Sequence, residues 1–384
     1  MYDRADLYIA FIEKGLSRLK PEGRLGYICA NRWTKNRYGG PLRELIADAY
    51  HMDTYVDFTG VDAFHGEVIA YPSVTIIRNG KGANTQVVDK SDVCCESLAP
   101  LAQSLLNQET DVRIKNMRDV TSGSEPWLLS NGSRLAVIQK LEALYPTLEE
   151  AGCKVGIGVA TGADKVYIGT DQELDVEPTR RLPLLTRRDL KNNEIEWTGK
   201  YVLNPFDGDS TALVELSDFP KFQTHIEAHR ERIEQRHVAK KNPQAWFKTI
   251  DRIYPTLTST PKLVIPDIQG KAQVVYDKGD YYPHHNLYYV VSNDWDLQAL
   301  QAVLRSNLAN AFVATYSLRM RGDFLRFQAQ YLRRIRLPQW NTVSNQLKEQ
   351  LTAVATSDDK PKLNELVREL YNLDAVEWAA LCRE

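Results

Sequence analysis

Asp6-Leu-Tyr-Ile-Ala-Phe-Ile-Glu-Lys-Gly-Leu-Ser-Arg-Leu-Lys20, followed by Pro21-Glu-Gly-Arg-Leu-Gly-Tyr-Ile-Cys-Ala-Asn-Arg-Trp33, is the stretch whose reading decides the fold. In the first part Leu7, Ile9, Phe11, Ile12, Leu16 and Leu19 recur near helical spacing, while Glu13, Lys14, Arg18 and Lys20 fall on the wet side. Pro21 cannot continue that helix, and Glu22-Gly23 makes a turn. Leu25–Ala30 is then a short run, apolar on both faces, as expected of an interior strand of a parallel sheet. Asn31, Arg32 and Trp33 end that strand at its carboxyl side, where open α/β sheets place their ligands.

Working outward, the pattern predicts a second helix over 41–50, strands over 52–58, 73–77 and 85–89, and a helix over 98–107. A helix that packs on a sheet usually follows a strand, and none precedes this one in the chain. The block therefore reads as the later half of a doubly wound α/β domain. Beyond a Thr-Ser-Gly-Ser break at 121–124, Trp127-Leu-Leu129 is read as opening a second domain. It continues with a helix over 134–145, mixed short strands, a charged helix over 219–240 and a helix over 297–304. Helices over 346–355 and 362–370 form a tail.

The chain of 384 residues is 26% charged and 43% hydrophobic, as expected of globular domains. No apolar run approaches the roughly 20 residues needed to span a bilayer, and no charged-then-apolar leader opens the sequence. The five cysteines are odd in number and lack a Cys-x-x-Cys pair, which points to reduced thiols in a cytoplasm and to neither zinc nor a disulfide framework. The net charge of −2 conceals an uneven distribution. Arg319, Arg321, Arg326, Arg333, Arg334 and Arg336 face only Asp323 in their stretch, whereas the tail is acidic. A local basic surface of this kind suits phosphate contact; the alternative is a solvated, self-paired face.

The run Ala5–Trp33, with Lys35-Asn-Arg-Tyr-Gly39, Pro41-Leu-Arg-Glu-Leu45 and Val56-Asp-Phe58, resembles the adenine-N6 DNA methyltransferases of restriction–modification systems, the TaqI-like group and its large single-chain relatives. Gly158-Val-Ala-Thr-Gly-Ala-Asp-Lys-Val-Tyr-Ile168, Leu185-Thr-Arg-Arg-Asp-Leu190, Lys262-Leu-Val-Ile-Pro-Asp267 and Arg326-Phe-Gln-Ala-Gln-Tyr-Leu332 resemble that family's target-recognition domain, and Arg368–Leu373 its tail helix. The resemblance implies an α/β fold: an incomplete Rossmann-like methyltransferase sheet, then an α+β target-recognition domain and a small helical tail. The implied limits are 1–90 for the later half of the catalytic domain, 91–125 for a bridge, 126–340 for recognition and 341–384 for the tail.

The family's S-adenosylmethionine loop and Asn-Pro-Pro-Tyr motif do not occur in these residues. The expectation is therefore a carboxyl-terminal portion that keeps DNA recognition and does not bind the cofactor or methylate on its own. The missing catalytic half could come as a separate chain, and the rival reading is a non-catalytic DNA-recognition subunit that works with one. A third is a degenerate pseudo-enzyme. Two decoys fail as cofactor or catalytic motifs. Gly156-Ile-Gly-Val-Ala-Thr-Gly162 is followed by an apparent strand, Lys165–Gly169, where a phosphate loop needs a helix, and Asn204-Pro-Phe206 opens a plain turn.

Adenine N6 cannot be reached inside a duplex, so the base must be flipped out and held by stacking. The resemblance places Phe64 against the flipped base, with Tyr71 as a second choice. Asn31, Arg32, Lys35 and Arg37 are expected to shape that pocket, the alternative for Lys35 and Arg37 being contact with phosphate or with water alone. Thr161, Gly162 and Lys165 form the expected DNA-facing recognition loop, and Arg319, Arg321, Arg326, Arg333 and Arg334 the expected phosphate contacts, with double-stranded DNA as partner. His284-His285 lacks a third ligand at metal spacing and reads as a polar loop. Trp246, Tyr254, Tyr281, Tyr282, Tyr288 and Tyr289 read as packing aromatics.

Overall fold

The computed structural model describes residues 5–59, 61, 71–94, 97–129, 133–269, 272–317 and 324–382. It is a mixed α/β structure that divides into two compact units. The first comprises the chain up to Gln139 together with a segment beginning at Thr315; the second comprises Lys140–Ala314 and Gly322–Cys382. No described helix is long and apolar enough to cross a membrane.

In the first unit α1 (Leu7–Leu16) buries Ile9, Ile12 and Leu16. Strand β1 (Arg24–Ala30) follows, then α2 (Gly40–Ala49), β2 (His51–Asp57), β3 (Pro72–Arg78), β4 (Asn84–Val88), α3 (Leu98–Asn107) and β5 (Lys115–Arg118). The sheet order is β1-β3-β2-β4-β5. Only β2 and β4 run parallel; β3 is a hairpin-like insertion, antiparallel to both β1 and β2.

Leu25–Ala30, expected as a strand of a parallel sheet left with one side unpaired in an incomplete domain, stands at the end of the sheet, and the correction is that its one partner is antiparallel. None of its residues is fully buried, and Ile28 is half exposed. Its apolar content matched an interior strand, but among the described residues no strand pairs its outer side. Trp127 and Leu129, expected to open the second domain, pack instead into the core formed by α1, α2 and the sheet. Trp127 stacks edge-on against Trp33, with ring centroids 5.8 Å apart, and its backbone N–H donates to Thr34 O at 2.8 Å. The 91–125 segment likewise joins this unit, because β5 pairs with β4 and Leu101 of α3 joins the cluster around Val56 and Val88.

The second unit is built on two four-stranded sheets. One orders Tyr282–Pro283, Arg181–Leu185, Lys200–Leu203 and Ile168–Thr170; the other orders Val275–Asp277, Lys262–Pro266, Leu287–Ser292 and Cys153–Ile157. The charged helix expected over 219–240 is three short helices, Pro220–Ala228, Arg230–Glu234 and His237–Lys241. The tail is part of this unit. Asn345–Ala353 and Lys360–Leu370 pack on Leu297–Leu304, Arg305 donates to Ala355 O and Ser357 O, and Tyr371 Oη donates to Arg336 O at 2.5 Å.

Candidate nucleic-acid interface

At the carboxyl end of β1 the chain enters a 3-10 turn, Asn31–Thr34, clasped by one buried arginine. The Arg43 guanidinium donates to the carbonyls of Trp33, Asn36, Ser124 and Glu125, with distances of 2.5–3.0 Å. An arginine spread over carbonyls presents no free charge; it fixes the loop backbone. Asn31 Nδ2 donates to Thr59 Oγ1 at 3.0 Å, and its backbone N–H donates to Tyr71 O at 2.9 Å. Asn31 Oδ1 is buried and has no hydrogen-bond partner among the described residues. Tyr55, buried nearby, has its phenol pushed well up by burial and then by Asp57. Asn31 and Tyr71 therefore meet at this strand end. Arg32 and Arg37 are exposed, and Lys35 Nζ donates to Thr315 O at 2.9 Å. Phe64 lies outside the described residues.

In the second unit three distant segments converge. His284 N–H donates to Leu185 O, Val159 N–H to Pro283 O, and His285 N–H to Val159 O, all at 2.9–3.0 Å. From this junction emerge the turn 161–165, the turn 186–189 and the pair His284-His285. Thr161 was expected to face DNA, but its side chain is fully buried. Its Oγ1 donates to Asp164 Oδ1 at 2.5 Å and accepts from Ala163 N at 3.1 Å, so it builds the turn. Gly162 is exposed with φ +75°, and an added Cβ would come within 2.7 Å of Ile250 Cδ1. Lys165 is exposed.

The strand expected over 165–169 is corrected: Asp164–Tyr167 is one helical turn, and a strand begins at Ile168. The glycine run still does not make a cofactor loop. An added Cβ at Gly156 would meet the Tyr289 side chain at 2.1 Å, and one at Gly158 would meet the carbonyls of Pro283 and His284 at 2.3 Å, so both glycines serve close packing. Asn204-Pro-Phe206 is a buried turn in which Asn204 Oδ1 accepts from Phe206 N at 3.0 Å.

The turn after Arg181–Leu185 was not singled out residue by residue from the sequence, yet its own side chains tie it closed at both ends. Thr186 and Asp189 form a reciprocal capping box. The fully buried Asp189 carboxylate also accepts from Thr198 N at 2.8 Å and Thr198 Oγ1 at 2.6 Å. The two residues between them, Arg187 and Arg188, are exposed. The Thr-Arg-Arg-Asp spacing was the available signal: a cap at each end forces the middle pair outward.

The basic stretch is more self-compensated than its charge count suggests. Arg326 forms a two-pronged ion pair with Asp267, which raises the guanidinium pKa further, and Arg333 pairs with Glu149 at 2.8 Å and donates to Val155 O at 2.9 Å. Arg334 is half-buried and takes part in interactions of its own. Arg319 and Arg321 lie outside the described residues. The histidine pair also departs from expectation. Its rings lie 4.0 Å apart, and Asp164, far away in sequence, brings its Oδ2 to 3.4 Å from His284 Nε2. His284 is buried and its pKa is held down, first by burial and then by His285.

Residues 1–64 match the Eco57I restriction-modification methylase family, and residues 182–337 match the TaqI-like C-terminal specificity domain. Over 99% of its length the chain is 51% identical to the type II methyltransferase M.PaeR7I of Pseudomonas aeruginosa, covering 67% of that protein. The chain belongs to the type II methyltransferases of restriction–modification systems. Over 98% of its length this methyltransferase chain is 50% identical to M.XhoI of Xanthomonas vasicola and covers 70% of it. The fold is similar to that of the type IIL restriction-modification enzyme MmeI, solved in complex with DNA, with a TM-score of 0.62 at 11% identity, over 98% of this chain and 51% of that one.

Proposed function

We propose that these residues are the DNA-reading, carboxyl-terminal part of an adenine-N6 methyltransferase of a restriction–modification system. Its S-adenosylmethionine loop and Asn-Pro-Pro-Tyr motif would lie outside these 384 residues. In this reading the chain alone binds double-stranded DNA and transfers no methyl group. The observation that carries the DNA assignment is the capped turn Thr186–Asp189, which leaves Arg187 and Arg188 exposed and rises from the same backbone junction as the turn that carries exposed Gly162 and Lys165. Cations on rigid turns engage phosphates without the entropy of ordering a loop. The DNA complex of MmeI, similar in fold, is consistent with it.

The first unit then receives the flipped base. Phe64 and Tyr71 stack on it, while Asn31, Arg32, Lys35 and Arg37 shape the pocket. The buried Asn31 Oδ1, without a hydrogen-bond partner among the described residues, is an acceptor at that strand end. Arg319 and Arg321 add phosphate contacts, and Arg326, Arg333 and Arg334 do so only as far as their internal interactions allow. The test supplies labelled S-adenosylmethionine and a mixed-sequence duplex to the chain alone, and to the chain with the third of M.PaeR7I that it does not match. The reading expects no label in the first reaction and N6-methyladenine in the second; label from the chain alone, or label on cytosine, would sink it.

A further inference from the structure

Asp164, His284 and His285 place one carboxylate oxygen and two imidazole nitrogens within 4.8 Å of one another. The scaffold beneath them is fixed by the three backbone bonds that join Val159, Pro283, Leu185 and the histidine pair. The carboxylate is already oriented. Thr161 Oγ1 occupies Asp164 Oδ1 at 2.5 Å, which leaves Oδ2 turned to His284 Nε2 at 3.4 Å. His284 is buried, and a neutral imidazole offers a lone pair to a metal. Its Nδ1 is buried without a hydrogen-bond partner among the described residues, as is Oδ1 of the neighbouring Asn286. A metal-bound imidazole characteristically donates its other N–H to such an acceptor, which fixes its tautomer.

We propose that Asp164, His284 and His285 bind one divalent transition-metal ion of the zinc, cobalt or nickel class, pinning the turn 161–165 to the end of the strand Tyr282–Pro283. Two imidazoles and one carboxylate suit a borderline ion at about 2.1 Å and disfavour magnesium or calcium, which take oxygen donors. Donors on such an ion stand roughly 3–4 Å apart, so the cluster closes slightly on binding. Asp164 and His285, both exposed, make that movement while buried His284 stays in place. The open coordination positions take water. The site uses no residue of the methyl-transfer chemistry and stands independently of the proposed function.

The experiment titrates the full 384-residue chain with zinc chloride by calorimetry and follows amide exchange over 160–166. One ion per chain is expected, with slower exchange in that turn. His285→Ala and Asp164→Asn should each weaken binding at least about tenfold, the size expected when a metal site loses one of its supporting groups. His225→Ala should leave it unchanged, since the His225–His229 pair is the other close imidazole pair among the described residues. Unfolding midpoints of the variants establish that they are folded, and His285→Gln replaces His285→Ala if that variant is not. Absence of stoichiometric binding, equal binding by magnesium, insensitivity to both site variants, or loss of binding in His225→Ala would each overturn the proposal.

Discussion

Replacing Arg187 and Arg188 together by alanine should change DNA binding in a way that can be worked out beforehand. The turn's own bonds run through Thr186, Asp189 and Thr198, so the variant keeps its shape. Each phosphate neutralised releases counterions worth about 0.9 units of slope in a plot of log affinity against log salt. Leaving two phosphates without their arginines should therefore flatten the slope by about 1.8 units. At roughly 0.1 M salt the same term is about 0.9 decades for each arginine, so affinity should fall about 60-fold, or about 2.5 kcal/mol. Fluorescence anisotropy of a labelled duplex, measured from about 50 to 200 mM salt, reads both quantities. A slope unchanged within error, with affinity within about twofold of the parent, would remove these arginines from the interface.

Arg326→Ala and Arg333→Ala remove partly exposed intradomain ion pairs, and should cost about 1 kcal/mol or less of stability while flattening the salt slope less than the Arg187/Arg188 pair does; a larger flattening in the anisotropy titration would return them to the interface. Asp277→Asn strands the fully buried Lys262 ammonium, now 2.8 Å from that carboxylate, and should destabilise the second unit by about 3–5 kcal/mol in urea unfolding; a loss under about 1 kcal/mol would show that the carbonyls of Leu257 and Thr260 suffice. Burial raises the phenol of Tyr167 to about 12 and pushes Tyr55 and Tyr371 well up, so the folded state is favoured fully below pH 10, the unfolded value, and loses stability as pH climbs above it. Each such tyrosine should cost about 1.4 kcal/mol per pH unit there, and flat stability from about pH 9.5 to 11 would contradict it. The bonds from Asn31 N to Tyr71 O and from Asn79 N to Gly23 O set the parity of β1: Tyr27 and Cys29 amides face β3, while Gly26, Ile28 and Ala30 face the open side. Hydrogen exchange should alternate accordingly in the isolated chain, and uniform protection through β1 would mean that this side is covered.

The elements of the first unit were legible because each signal was local. The period of Leu7, Ile9, Ile12 and Leu16, the proline stop at Pro21 and the hydrophobic run at Leu25 need no distant partner to be read. The helices at 98–107 and 297–304 emerge at their expected limits for the same reason. Pairing was not legible. Nothing in Leu25–Ala30 says that its neighbour is the antiparallel Pro72–Arg78 rather than a parallel strand. Burial by distant packing also escaped: Thr161 looks like a loop residue, yet its hydroxyl is consumed by Asp164, and Trp127 looks like an opening but fills the core beside Trp33. Arg326 and Arg333 illustrate the limit of counting charge, since Asp267 and Glu149 reach them from far along the sequence. The third donor at His284-His285 is Asp164, a separation no spacing rule covers.

The central claim is that these residues read DNA sequence without performing the chemistry. The most direct measurement incubates the purified chain with a random-sequence duplex pool and labelled S-adenosylmethionine, sequences the retained duplexes and counts label in all of them. The account predicts enrichment of one short sequence and no label in DNA. Retention without sequence preference, or methyl label above a protein-free control, would contradict it.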